Sequence, residues 1–218
     1  MKKIKVGQIG KGSFGKKILS KLEKMSDVLV EWVYGSKDKW WESDVDLDWV
    51  IIVSPNEFHY EQAKYYLEKG VNVFCEKPGT LSLESLTELI ELSKINDVCF
   101  YIDDVLTYED ILPISDFVYK KWGGSSANII DRMAYHHFYL VYDMVGDSIP
   151  SNINVITNEV NHKVFEIDFD DSKFKFEYDF GWHKEKVHNI TSRSSGDALE
   201  TMLRKVLCDE VDFDLNHQ

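Results

Sequence analysis

Arginine, cysteine and proline are all scarce in this 218-residue chain: three arginines (Arg132, Arg193, Arg204), three cysteines (Cys75, Cys99, Cys208) and four prolines. The cysteines are odd in number and far apart, and two sit inside apolar strand-like runs. They read as buried thiols rather than as disulfides or a metal cluster. Four prolines and twelve glycines, beside 44% hydrophobic and 29% charged residues, exclude collagen-like, disordered and low-complexity chains. Long apolar runs are missing as well. The stretch Met1-Lys2-Lys3-Ile4-Lys5-Val6 is charged and soon broken by Gly7 and Gly10, too brief for a signal segment or a membrane span. A cytoplasmic protein with no membrane partner is expected.

The net charge of −13 is divided unevenly, −2 over residues 1–102 and −11 over residues 103–218. Nucleic acid and anionic membrane need a basic face, so neither is an expected partner. The first 24 residues run the other way, with eight lysines and one glutamate, which suits a small phosphorylated ligand or a solvated helix face.

Residues 1–108 alternate two periodicities. Ile4–Ile9, Val28–Tyr34, Asp48–Val53, Val71–Cys75 and Val98–Ile102 read as short buried strands. Between them, Ile18, Leu19, Leu22 and Met25 recur at helical spacing. A helix is predicted over Tyr60–Lys69, ended by Gly70, and another after Ser82 with a stripe of Leu83, Leu86, Leu89 and Ile90. Such alternation predicts an α/β fold, a parallel sheet with helices on both faces. Residues 109–218 change pattern. A short helix near Ser115–Lys121 and a longer one ending near Val145 precede strict alternation: Phe165, Ile167 and Phe169, then Phe174, Phe176, Tyr178 and Phe180, interleaved with charges. This predicts a small α+β domain with an antiparallel sheet. Ile153–Glu159 and Lys186–Thr191 add strands, and Ala198, Leu199, Met202, Leu203 and Val206 make a closing helix. Aromatics such as Tyr178 and Trp182 on so short a sheet predict uncovered apolar area, hence a homodimer or larger homo-oligomer.

The strongest local signal is Gly10-Lys11-Gly12-Ser13-Phe14-Gly15, a G-x-G-x-x-G between the first strand and the first helix. Gly10 permits the tight turn, Gly12 lets a pyrophosphate approach, and Gly15 lets the helix pack closely, so a Rossmann-type dinucleotide domain is expected. At the end of the second strand, Tyr34-Gly35-Ser36-Lys37-Asp38 offers a hydroxyl and an ammonium where a ribose-gripping carboxylate is usual. Ser36 and Lys37 suit a 2′-phosphate, favouring NADP over NAD; in the other reading Asp38 takes the NAD role. Ligands of parallel sheets collect at the carboxyl ends of the strands. Those ends also carry Ser54-Pro55-Asn56, Glu76-Lys77-Pro78 and Asp103-Asp104. Lys77 taken alone reads as a solvated strand end, but Pro78 restricts its backbone and can adopt cis.

Three ordered motifs, the glycine loop, Ser54-Pro55-Asn56-Glu57-Phe58-His59 and Gly70-Val71-Asn72-Val73-Phe74-Cys75-Glu76-Lys77-Pro78, resemble the Gfo/Idh/MocA oxidoreductase family over residues 3 to about 108. The resemblance implies that Lys77 is the lysine of the family's E-K-P motif, close to the substrate hydroxyl or carbonyl and the nicotinamide. It also implies that Asn56 and His59 hold the cofactor-side P-N-x-x-H positions, with Ser54, Pro55 and Glu76 beside them. Beyond residue 108 the pattern thins. Counting back from Gly146 puts His136 at the position of the family's second catalytic group, but Arg132 stands where an aspartate is usual and Asp131 is one residue off register. His137 lies on the stripe of Met133, Leu140, Val141 and Met144 and reads as packed. Asp103 and Asp104 resemble a sugar-acting subgroup's aspartate-containing segment, here ending in Tyr108; either could orient Lys77 or bind a sugar hydroxyl, and adjacent residues of an extended chain point oppositely.

The expected activity is an NAD(P)-dependent oxidoreductase acting on a sugar or nucleotide sugar, with Lys77 as general acid or base and His136 assisting. The alternative is a cofactor-binding sensor or partner subunit without turnover, suggested by the displaced aspartate and the abbreviated second domain. A dehydrogenase of small amino or keto acids is disfavoured, since the second half offers only three arginines for a carboxylate clamp.

Overall fold

The computed structural model describes residues 2–120, 134–181, 186–193 and 196–208. Their chain forms two compact units, one of residues 1–103 with the C-terminal segment from Leu199, the other Asp104–Ala198.

In the first unit five strands, β1 (Ile4–Ile9), β2 (Val28–Tyr34), β3 (Trp49–Ile52), β4 (Asn72–Cys75) and β5 (Phe100–Ile102), pair in parallel in the order β2-β1-β3-β4-β5. The helices α1 (Ser13–Leu22), α2 (His59–Glu68) and α3 (Leu83–Ile95) alternate with them. Each predicted strand and helix of this half is present within a residue or two. Val50, Ile52, Val73, Phe100, Leu67 and Leu89 are fully buried in one core, so a continuous apolar strand such as Trp49–Ile52 is covered on both faces. Gly70 follows α2 at φ +71°, a left-handed position that glycine adopts without strain. The Ser82 hydroxyl accepts the Ser85 N–H at 3.1 Å and caps α3.

In the second unit the strand order is β10-β6-β9-β8-β7, with β6 (Asp116–Lys120), β7 (Asn152–Asn158), β8 (His162–Asp168), β9 (Lys173–Asp179) and β10 (Val187–His188). The predicted Phe165/Ile167 and Phe174/Phe176/Tyr178 faces meet in register across the β8–β9 hairpin. Phe176 stacks on Phe117 at 5.1 Å and on Phe165 at 4.9 Å, beneath Leu140 and Val141 of α4 (Tyr135–Val145).

Four expectations are corrected here. The segment read as a helix near Ser115–Lys121 is strand β6, because Phe117 and Tyr119 alternate inward and pair with β9. That pairing is parallel, so the sheet is mixed rather than purely antiparallel. Tyr178, invoked as uncovered, is fully buried, whereas Trp182 lies outside the described residues; exposed apolar area instead falls on the edge strand β7 at Ile153, Val155 and Ile156. The closing helix α5 (Ala198–Cys208), expected in a domain of residues 109–218, belongs to the first unit. It buries Met202 and Leu203 completely, with ion pairs from Glu200 to Lys21 at 3.7 Å and Arg204 to Asp27 at 3.8 Å. Half-exposed pairs contribute little, so the buried stripe carries most of the attachment.

Candidate active site

One line of register builds the candidate site. Tyr34, Ile9, Ile52, Cys75 and Ile102 are successive Cα partners across β2, β1, β3, β4 and β5. The next residue of each of β1, β3, β4 and β5 donates its N–H across the same line: Gly10 to Tyr34 O at 2.7 Å, Val53 to Ile9 O at 2.8 Å, Glu76 to Ile52 O at 2.8 Å and Asp103 to Cys75 O at 2.9 Å. All four strands therefore end at one edge, bringing together the glycine loop, the Ser54–His59 segment, Glu76–Lys77 and Asp103. The strand order turns back between β1 and β3, which is where such sheets open a ligand crevice.

The glycine loop fits a dinucleotide. Gly10 has φ +123°, and a Cβ there would meet Val53 O at 2.3 Å; a Cβ on Gly15 would meet Gly10 O at 2.4 Å. A Cβ on Gly12 meets nothing within 4 Å, leaving open space at the N-terminus of α1, where no side chain caps the helix and its first turn holds no acid. First-turn N–H groups lack acceptors within their own helix, and the helix dipole favours an anion there. Sequence reasoning missed a support of this loop: fully buried Gln8 donates its amide to Gly10 O at 2.9 Å and Gly15 O at 3.0 Å. Its signal was a polar side chain between Gly7 and Ile9 in the buried half of the strand Ile4–Ile9.

Beyond the end of β2 stands Asp38, the carboxylate of the alternative NAD reading. The turn folds Asp38 back so that its Oδ2 accepts the Gly35 N–H at 2.6 Å and the Lys11 ammonium at 2.9 Å. These two contacts hold its carboxyl below the ordinary range. Ser36 is half-buried and Lys37 is exposed beside it.

Lys77 has only 12% of its side chain exposed, with Nζ 3.8 Å from Glu76 Oε1, and Lys77–Pro78 is cis. Burial pushes the Glu76 carboxyl up to about 7, against the pull of Lys77 and with a further push from buried Asp103. Glu76 thus feels both the Lys77 ammonium and the Asp103 carboxylate. Asp104 Oδ2 accepts the Thr107 hydroxyl at 3.1 Å. Ser54 donates its hydroxyl inward to Gln62 at 2.6 Å. Pro55 and Asn56 lead into a short 3₁₀ turn, Asn56–Phe58, in front of α2. His59 opens α2 fully buried, and both its ring nitrogens face main-chain carbonyls, so the ring offers a cofactor no polar atom.

His136 and His137 lie in the second unit at the start of α4. Arg132 and Met133 lie outside the described residues, and Met144, expected on the packed stripe, is exposed. His136 is half-buried. His137 is wholly buried as read, with Nδ1 2.8 Å from the Tyr178 hydroxyl and Nε2 3.1 Å from His188 Nε2. Burial, helped by His188 and His136, pushes His137 down to about 3. A neutral ring completes the chain: Tyr178 donates to Nδ1 and the Nε2–H donates to His188. The unfolded chain then binds more protons than the folded one between about pH 6.5 and 3, so this contribution to stability is lost as pH falls through that window. The stability gap between the wild type and His137→Gln should shrink on acidification. Urea unfolding at several pH values checks it, and a gap that widens toward acid contradicts the assignment.

Fold and edge together define a class, a Rossmann nucleotide-binding domain followed by a sheet-bearing second unit. Residues 19–103 match the oxidoreductase family with an NAD-binding Rossmann fold, the Gfo/Idh/MocA family. An uncharacterised oxidoreductase of Streptococcus pneumoniae is 28% identical over 122 residues, 48% of this chain and 33% of that protein. The NADP(+)-dependent scyllo-inositol 2-dehydrogenase of Bacillus subtilis is 41% identical over 51 residues, 23% of this chain and 16% of that one. These matches span a third or less of the curated relatives' lengths. In fold, the WlbA dehydrogenase of Thermus thermophilus, solved with NAD and UDP-GlcNAcA, aligns at TM-score 0.78 and 16% identity over 98% of this chain and 91% of that chain. Among the described residues no helix is long and apolar enough to cross a membrane, and no cluster of side chains suits a metal.

Proposed function

We propose that this protein is an NAD(P)-dependent oxidoreductase that interconverts a secondary alcohol and a ketone on a sugar or nucleotide sugar. One observation carries the reading: a single register line sets the glycine loop, Lys77 and Asp103 at the same edge of the sheet. A bound nicotinamide supplies or takes the hydride. The protein's part is to orient and to move protons. First-turn N–H groups of α1 and the space beside Gly12 hold the pyrophosphate. Lys77 takes the hydroxyl proton in oxidation and returns it in reduction, and its cationic form steadies the developing alkoxide. Asp103 orients Lys77 or a substrate hydroxyl, and His136 is the second group, hydrogen-bonding the substrate. The acidic second unit counsels against a polyanionic substrate, and the uncovered apolar residues of β7 support self-association.

NADPH is the tighter cofactor in this reading. Ser36 and Lys37 offer a donor and a cation to a 2′-phosphate, while the Lys11 ion pair offsets the charge of Asp38. Fluorescence titration with NADPH and NADH tests this, followed by a panel of sugars and nucleotide sugars monitored by nicotinamide absorbance. An NADH preference of about tenfold that disappears in Asp38→Ala would reverse the assignment. The second reading, a cofactor-binding subunit without turnover, rests on Arg132 at the usual aspartate position. It gains if NADPH binds but no member of the panel reacts.

A further inference from the structure

His59 lies near Lys77 and has no exposed surface. Its Nε2 lies 2.8 Å from the carbonyl oxygen of Ser54, at the end of β3, and its Nδ1 lies 2.8 Å from the carbonyl oxygen of Pro78, directly after Lys77. One ring therefore touches the main chain of both loops that flank the crevice, the one leading to Asn56 and the one carrying Lys77. We propose that His59 is a positioning residue for Lys77, a clasp that fastens the Lys77–Pro78 main chain to the β3 loop from behind the site. The inference rests on the functional reading only for its catalytic consequence.

The physics of the clasp follows from what it holds. Carbonyls only accept, so each hydrogen bond needs an N–H from the ring: a neutral ring makes one and a protonated ring makes both. Burial opposes the second proton most strongly and the Lys77 ammonium adds to that, whereas the two carbonyls and Glu57 favour it. In either state the ring sits at the first residue of α2, a helix anchored by buried Ala63 and Leu67, and cannot swing away without opening the core. Proline has no freedom in φ, so anchoring the Pro78 carbonyl sets the direction in which the chain leaves Lys77. A lysine with four rotatable side-chain bonds is aimed only as well as its Cα is held.

The test reads Lys77 directly in the cofactor-free protein. The side-chain CεH signal of Lys77 is followed by NMR in lysine-labelled protein and assigned by its loss in Lys77→Arg. His59→Phe keeps the ring shape and removes both donors; it should displace the Lys77 signal and move its titration midpoint by about half a pH unit or more. His59→Gln, which restores one donor, should recover part of the displacement. Leu67→Ala, a cavity in the same helix, should lower the melting temperature and leave the Lys77 signal in place. Where His59→Phe does not fold, His59→Gln against Leu67→Ala decides by the same criterion. An unmoved Lys77 signal in a folded His59 variant overturns the proposal, and so does an equal displacement in Leu67→Ala. If wild-type protein turns nothing over and the His59 variants still move Lys77, the functional reading fails and the clasp stands.

Discussion

Replacing Lys77 by alanine is expected to lower turnover by about two to four orders of magnitude, the range of general acid–base groups, while cofactor affinity stays within a few-fold. The two effects separate because different parts of the edge produce them. In the proposed reading pyrophosphate binding rests on the glycine loop and the first turn of α1, in which Lys77 has no share. The proton of the substrate hydroxyl needs a donor and acceptor beside the reacting carbon, and Lys77 is the largely buried cation just after β4, with Glu76 Oε1 3.8 Å from its Nζ. Steady-state kinetics on the substrate found by the panel, with fluorescence titration of NADPH, checks both halves. His136→Ala should cost less, because the aspartate that usually accompanies such a histidine is displaced. Full turnover in Lys77→Ala would remove the lysine from the mechanism.

Gly12→Val is expected to abolish cofactor binding while the protein still folds. Around Gly12 nothing lies within 4 Å of the place a Cβ would take, so a side chain can start there without striking the protein and would occupy the volume that a pyrophosphate requires. Gly10→Val and Gly15→Val behave differently, since their Cβ atoms would strike main-chain oxygens at 2.3 and 2.4 Å and disturb the loop before any ligand arrives. Circular dichroism and melting temperature should therefore class Gly12→Val with the wild type and the other two apart from it. NADPH affinity that survives in a folded Gly12→Val protein would put the cofactor elsewhere.

Much of the site was legible because its parts are local. A glycine triplet between a strand and a helix, or a lysine and proline directly after a buried strand, specifies its surroundings within a dozen residues. The partners that complete these parts are farther away or depend on a turn. Asp38 is three residues from Gly35, yet only the closed turn brings its carboxylate onto the Gly35 N–H and Lys11. His59 could be placed on the P-N-x-x-H pattern, but its commitment to Pro78, 19 residues on, depends on β3 and β4 being neighbours. Gln8 was passed over because periodicity counts apolar residues, and a single amide in a buried strand changes no period.

The sequence by itself determined the sheet of the first unit: largely apolar strands of three to seven residues alternating with amphipathic helices leave a doubly covered parallel sheet as the arrangement that buries them. It also determined the inward faces of β8 and β9, where strict alternation permits one register with the aromatics buried. Only the tertiary structure decided the fate of Asp116–Lys120 and of Ala198–Cys208. Five residues are too few to separate a period of 2 from one of 3.6, and the free edge of β9 made that segment a strand. The stripe of α5 names the face to be buried but not the surface that buries it; the first unit supplied that surface, since helix packing is non-directional and depends on which apolar area lies within reach.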